Sequence, residues 1–109
     1  MAKKELFDED LQLAASFFKA LSHPARLAIM QYLASTKSCI TGDISGEIPL
    51  SRTTINQHLK ELKTVGLIQG QIEGAKVNYC LDPKTLCFLS TIFHKFFKSV
   101  DLKEEYNCK

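Results

Sequence analysis

Between positions 51 and 63 the chain reads Ser-Arg-Thr-Thr-Ile-Asn-Gln-His-Leu-Lys-Glu-Leu-Lys. The polar members of this run are the types that recognise nucleic acid. A guanidinium grips guanine O6 and N7, a side-chain amide pairs with adenine N6 and N7, and hydroxyls reach bases or phosphates. Ile55, Leu59 and Leu62 fall at i, i+4 and i+7, so on a helix they mark the buried side. Arg52, Thr53, Asn56, Gln57, Lys60 and Lys63 then face outward. Arg52 lies at the start, where base edges are met, whereas Lys60 and Lys63 come later and suit phosphate contacts that set affinity and register. Any exposed helix face is polar, so these residues carry weight only through their setting.

A second set of reactive groups is the four cysteines, Cys39, Cys80, Cys87 and Cys108. They could form two disulfides in a secreted miniprotein. With no apolar run of signal-peptide type after Lys3 and Lys4, reduced thiols in a cytoplasmic protein are expected instead. Thiols of this kind hold soft ions such as As(III) or Cu(I), respond to oxidants, or pack as small hydrophobes. Cys80 closes a predicted strand and Cys87 lies within two turns of a helix start, which allows those two to be neighbours or simply to pack as small hydrophobes. Cys108 lies on a C-terminal tail able to fold back or cross to another subunit. The chain has no Cys-x-x-Cys motif, no glycine-rich phosphate loop and no carboxylate pair placed for acid/base work, so an enzyme is not expected.

The elements that must position these residues follow from apolar spacing. Leu11, Ala14, Ala15, Phe18 and Leu21 predict a first helix from Asp8 to Leu21. Ser22 or His23 caps a second, with Pro24 in its first turn and Leu27, Met30 and Leu33 facing inward to about Ala34. Thr41 to Glu47 reads as a very short third helix anchored by Ile44 and Ile48, weakened by Gly42 and Gly46. Pro49 ends it. Ser51 then caps the fourth, and Gly66 stops that helix.

Period-two apolar residues, Ile68 with Ile72 and Val77 with Tyr79 and Leu81, predict a β-hairpin whose tip is Glu73-Gly74-Ala75-Lys76. Asp82-Pro83 opens a last helix in which Leu86, Leu89, Phe93, Phe96 and Val100 form a seam, widened by Phe88, Ile92 and Phe97. The fold class expected is thus mainly α with a two-stranded wing, a winged helix-turn-helix in the order helix-helix-helix-helix-strand-strand-helix. A last helix apolar around so much of its girth needs a partner surface, and a homodimer is the economical one.

Composition sets the frame. At 109 residues, 45% apolar and 24% charged, the chain suits one folded domain spanning 1–109. Its formal charge of +2 announces no polyanion partner by itself. The local distribution matters more: four acids crowd residues 5–10, whereas Arg52, Lys60, Lys63 and Lys76 outnumber Glu61 and Glu73 in the stretch 52–76. No segment approaches the ~18 uninterrupted apolar residues of a membrane span, so no membrane is expected as a partner.

Phe18-Lys19-Ala20-Leu21-Ser22-His23-Pro24-Ala25-Arg26-Leu27-Ala28-Ile29, the run Leu50 to Leu62, and Val65-Gly66-Leu67-Ile68 with a wing ending in Tyr79 carry a resemblance. Over nearly its whole length the chain resembles the ArsR/SmtB family of metal- and stress-responsive winged-helix repressors. The resemblance implies binding of double-stranded operator DNA that blocks transcription, and release when a ligand binds. It also implies dimerisation through the terminal helices, which here carry Leu11, Phe18, Leu86, Leu89, Phe93, Phe96 and Val100. Ser51, Arg52, Thr53, Thr54, Asn56, Gln57, His58 and Lys60 match the recognition-helix region, although His58 also suits a packing role at the helix edge. Lys76 at the wing tip would approach the DNA backbone or minor groove.

The family's arsenic and antimony sensors carry a Cys-x-Cys pair at the start of the third helix, but here that stretch is Ser38-Cys39-Ile40-Thr41-Gly42-Asp43, with one cysteine. The zinc pattern on the last helix is absent too, since Pro83, Thr85 and Phe96 stand at its places. Cys39 and Cys108 remain the candidate ligands for As(III) or another thiophilic effector. Oxidation, or repression without such a ligand, are the other readings of the same cysteines. A winged helix that binds protein rather than DNA is the alternative function for the fold as a whole.

Overall fold

A computed structural model of the chain describes residues 6–36, 39–42, 44, 46–72 and 78–101. Its elements are α1 (Glu9–Ala20), α2 (Pro24–Thr36), β1 (Ile40–Thr41), α3 (Arg52–Thr64), β2 (Ile68–Gln71), β3 (Asn78–Leu81) and α4 (Pro83–Ser99). The described residues therefore hold four helices rather than the five expected, with the wing before the last of them.

Among the described residues the expected third helix is not seen, for a local and a tertiary reason. Gly42 sits at a φ of +96°, outside any right-handed helix. Ile40 and Thr41, just before it, pair antiparallel with Tyr79 and Asn78 of β3. What remains is a single turn, in which the N–H groups of Glu47 and Ile48 both donate to the Ile44 carbonyl, at 2.9 and 3.0 Å. Ile44 and Ile48 are nonetheless buried, as their anchoring role requires. The sheet is three-stranded in the order β1-β3-β2, so the hairpin β2–β3 gains a third strand on its return arm.

α1 and α2 are also turned in part from the faces expected. α1 buries Ala14, Phe17 and Ala20, leaving Leu11 exposed and Phe18 half-buried. Adjacent apolar pairs, Ala14-Ala15 and Phe17-Phe18, allow two faces about 100° apart, and packing against the core selects one. In α2, Ile29 and Leu33 are buried while Leu27 faces out. Its cap is His23, whose Nδ1 accepts the Ala25 N–H at 3.0 Å; Ser22 instead donates to the Lys19 carbonyl. Asp82 caps α4 through Oδ1, which accepts from the Lys84 and Thr85 N–H groups at 3.0 and 3.5 Å.

Tyr79, Ile29, Ile55, Leu59, Leu62, Leu67 and Ile68 are the innermost side chains, joining α2, α3 and the sheet. Each contributes roughly 1.5–3 kcal/mol of burial, so truncating Leu59 to Ala would cost about 2–5 kcal/mol. α1 and α4 pack through aromatic rings: Phe18 stacks on Phe93 at 4.6 Å and meets Phe96 edge-on at 5.6 Å, while Phe17 meets Phe88 at 6.3 Å. Asp10 and Lys95 pair across the same junction. Part of the expected intersubunit seam is therefore internal. Leu89 is buried within the protomer, Leu86, Phe93 and Phe96 are half-buried, and Phe88, Phe97 and Val100 remain exposed.

Extending the β1–β3 register by one residue sets Cys39 opposite Cys80, and the two are joined in a disulfide with their Cα atoms 4.3 Å apart. This corrects the expectation of reduced thiols for Cys39 and Cys80. Cys80 partners Cys39 rather than lying free beside Cys87, which stands exposed on α4 as a free thiol.

Candidate nucleic-acid interface

The interface begins at the corner where Pro49 and Leu50 deliver the chain into α3. Ser51, in extended backbone, accepts the Thr54 N–H on its Oγ at 3.2 Å and donates its hydroxyl to Thr54 Oγ1 at 3.0 Å. An N-cap of this kind is worth about 1 kcal/mol and fixes where the helix starts. That in turn fixes which residues face out. With Ile55, Leu59 and Leu62 at 0–1% exposure, the side chains of Arg52, Thr53, Gln57, Lys60 and Lys63 are exposed, Asn56 is half-buried, and Ser51 and Thr54 are exposed at the tip. A polar face of this length, with its arginine first and its lysines last, can lie in a major groove with base-reading groups leading.

His58 behaves differently from its neighbours. It is buried, at 8% exposure, and its Nδ1 accepts the Arg26 Nε–H at 3.1 Å. Arg26 also donates to the Ala20 carbonyl at 3.0 Å, and the His23 ring lies 4.4 Å from that of His58. Because Nδ1 accepts, a neutral ring carries its proton on Nε2. Burial, then the charges of His23 and Arg26, hold the His58 pKa below its ordinary value, with Glu61 opposing them. This cluster ties α3 to the α1–α2 corner, so it positions the exposed face without belonging to it. The sequence offered His23 as a helix cap and Arg26 within the run of family resemblance, but the support they give to α3 was not read, because neither sits on a periodic face. The only local signal was their nearness to Pro24.

The wing lies beside the far end of α3. Lys63 Nζ donates to the Gly70 carbonyl at 2.5 Å, and Lys60, Lys63 and Thr64 border a groove closed on its other side by Gly70, Gln71 and Ile72. Gly70 stands at φ +121°, where a Cβ would strike the Asn78 carbonyl and lie 2.8 Å from Tyr79 Cα. Only glycine lets β3 run this close to β2 there. Residues 73–77, with the wing tip and Lys76, lie outside the described residues, as does Cys108. Among the described residues no cluster of three or more His, Cys, Asp or Glu side chains is placed to hold a metal ion. No described helix is long and apolar enough to cross a membrane.

A helix-turn-helix domain family matches residues 21–71, the span from the α1–α2 corner to the end of β2. The chain is 35% identical over 80 residues to the HTH-type transcriptional regulator Rv2034 of Mycobacterium tuberculosis, covering 73% of this chain and 74% of that one. Among solved structures it is similar to a possible transcriptional regulator for arsenical resistance, with 29% identity and a TM-score of 0.59 over 73% of this chain and 82% of that one. An ArsR-like transcriptional regulator from Rhodococcus sp. RHA1 shares the fold, with a TM-score of 0.63 at 23% identity over 82% of this chain and 83% of that one.

Proposed function

The chain belongs to the ArsR/SmtB family of winged helix-turn-helix transcriptional regulators, and on that premise we propose a homodimeric cytoplasmic repressor that a thiol-reactive signal releases from its operator. As a member it is a sequence-specific DNA-binding regulator rather than an enzyme.

The observation that carries the proposal is the exposed polar face of α3 beside the wing, backed by a fully buried apolar stripe. In this reading Arg52, Thr53, Asn56 and Gln57 meet base edges, Ser51 and Thr54 meet the flanking backbone, and Lys60 and Lys63 neutralise phosphates. Lys76 adds a cation at the wing tip. With a formal charge of only +2, one protomer offers little electrostatic hold, so two must engage together. The exposed Leu11, Phe88, Phe97 and Val100 of the terminal helices supply the apolar surface for that pairing. The signal is As(III) or an oxidant, the two agents that thiols answer most readily.

The test is a gel shift on fragments of the protein's own promoter against random duplex, repeated with As(III) and with oxidant. Retention of a fragment with inverted half-sites ~34–36 Å apart, lost on adding either agent, is the expected result. Binding no better than to random DNA overturns it in favour of a protein-binding winged helix.

A further inference from the structure

We infer that Cys39 and Cys80 are a reversible dithiol–disulfide pair, and that closing it fastens the DNA-facing part of the fold into one loop and lowers operator affinity. The DNA half of this inference rests on the function proposed above; the thiol half does not.

The placement of the pair is what points to a switch. Cys39 stands immediately before β1 and Cys80 within β3, on neighbouring antiparallel strands and 41 residues apart in sequence. The bond therefore encloses residues 40–79. That loop holds the Ile44–Ile48 turn, the whole of α3, β2 and the first two residues of β3, and it excludes α1, α2 and α4. Without the bond, β1 is held to β3 by two residue pairs, Ile40 with Tyr79 and Thr41 with Asn78. A two-pair ladder at a sheet edge opens at little cost. The covalent link turns a weak junction at the base of the reading unit into a fixed one. A helix and a wing that must settle on DNA together need that junction to adjust, and a closed loop resists the adjustment.

The pair is also accessible to exchange, since Cys39 is exposed and Cys80 half-buried. The thiolate of one cysteine attacks a low-molecular-weight disulfide, forming a mixed disulfide and expelling one small thiol. The second cysteine's thiolate then attacks the protein sulfur of that mixed disulfide and expels the other. The two protein thiols lose two electrons and two protons. The small disulfide gains both and leaves as two thiols. An excess of dithiol runs the sequence backward. In a compartment that keeps thiols reduced, an accessible bond of this kind is transient and reports the redox state.

The experiment compares the full chain reduced with dithiothreitol and oxidised with glutathione disulfide. Three readouts are taken: a non-reducing peptide map, the Tm, and anisotropy titrations of a duplex carrying the inverted repeat from its own promoter. Oxidation is expected to yield a Cys39–Cys80 peptide, to raise Tm by ~10 °C or more, and to weaken operator binding at least about tenfold, all reversed by dithiothreitol. Cys39→Ser, at an exposed site, should bind as the reduced protein does and ignore the oxidant, while Cys87→Ser should respond as wild type. A map joining Cys39 to Cys108 or Cys87 overturns the pair. A Cys39–Cys80 bond with operator affinity unchanged or tightened overturns the coupling. If the bond and the Tm rise are found but neither redox form prefers the operator to random duplex, the DNA-binding reading has failed and the thiol pair stands.

Discussion

α3 and α4 are built alike on their inner sides and oppositely on their outer ones. Both are amphipathic, 13 and 17 residues long, and both start from a side-chain oxygen cap, Ser51 for one and Asp82 for the other. Both bury aliphatic side chains, Ile55, Leu59 and Leu62 in α3 and Leu89 and Ile92 in α4. Outside, α3 presents Arg52, Thr53, Gln57, Lys60 and Lys63, whereas α4 presents Phe88, Phe97 and, at its C-cap, Val100. The inner faces explain why each helix exists. On the function proposed above, the outer faces decide what each binds, a hydrated polyanion for α3 and an apolar mate for α4.

The harshest way to break this contrast is to place a charge on the outer face of α4. Phe97 is 59% exposed in the protomer, so Phe97→Asp should change protomer stability by no more than about 0.5 kcal/mol. If that face pairs with a second copy, the buried carboxylate should split the dimer at micromolar concentration, read by sedimentation. Operator affinity should then fall by ~100-fold or more as bivalency is lost. A variant that still sediments as a dimer would show that α4's outer face pairs with nothing.

A smaller effect sharpens the contrast within α3. Arg52→Ala should cost ~1–3 kcal/mol on the operator, relax preference at one base pair per half-site, and weaken random duplex less. Lys60→Ala should weaken specific and random DNA about equally and lower the salt slope by about 1 per protomer. Salt titrations on both duplexes separate the two. Equal losses for Arg52→Ala on both, with base preference intact, would make Arg52 another phosphate contact.

The smallest effect concerns the one point where the inner faces differ, since α3 buries a titratable ring and α4 buries only hydrocarbon. His58, held neutral by burial beside His23 and Arg26, with Glu61 opposing, has its pKa lowered from the ordinary 6.5. The unfolded chain therefore takes up this proton first as pH falls. Its contribution is fully present above about pH 6.5 and is lost between there and the lower folded value. Urea denaturation at pH 7.5 and 5.5 should show wild type losing more stability than His58→Gln. Equal losses would mean that protonation of His58 contributes nothing measurable to the loss of stability in acid.

How much could be read beforehand follows the same division between local and distant causes. α3, its Ser51 cap, the Gly66 stop at φ +85°, the hairpin and the Asp82-Pro83 start were legible because each is dictated by residues within one or two turns. The segment around Thr41 was not, because a partner 37 residues away, Asn78 opposite Thr41, recruits it into a sheet. The faces of α1 and α2 were ambiguous because adjacent apolar residues fit two orientations. The cysteine pairing was closed to inspection for a combinatorial reason, as four cysteines allow three connectivities and only the β1–β3 register chooses among them. Arg26 and His58 meet from 32 positions apart, which no local pattern announces.

The strand order β1-β3-β2 has a consequence for behaviour at high concentration. The longest-range strand, β3, is flanked on both sides, so the sheet's free borders are the two residues of β1 and the four of β2. β2 carries Gly70 at a positive φ, a conformation that side-chain-bearing strand residues rarely adopt. Borders so short make poor templates for another chain's strand. Crowded copies of this protein would therefore meet through helices long before they could join sheets, and concentrated preparations should stay free of fibrils.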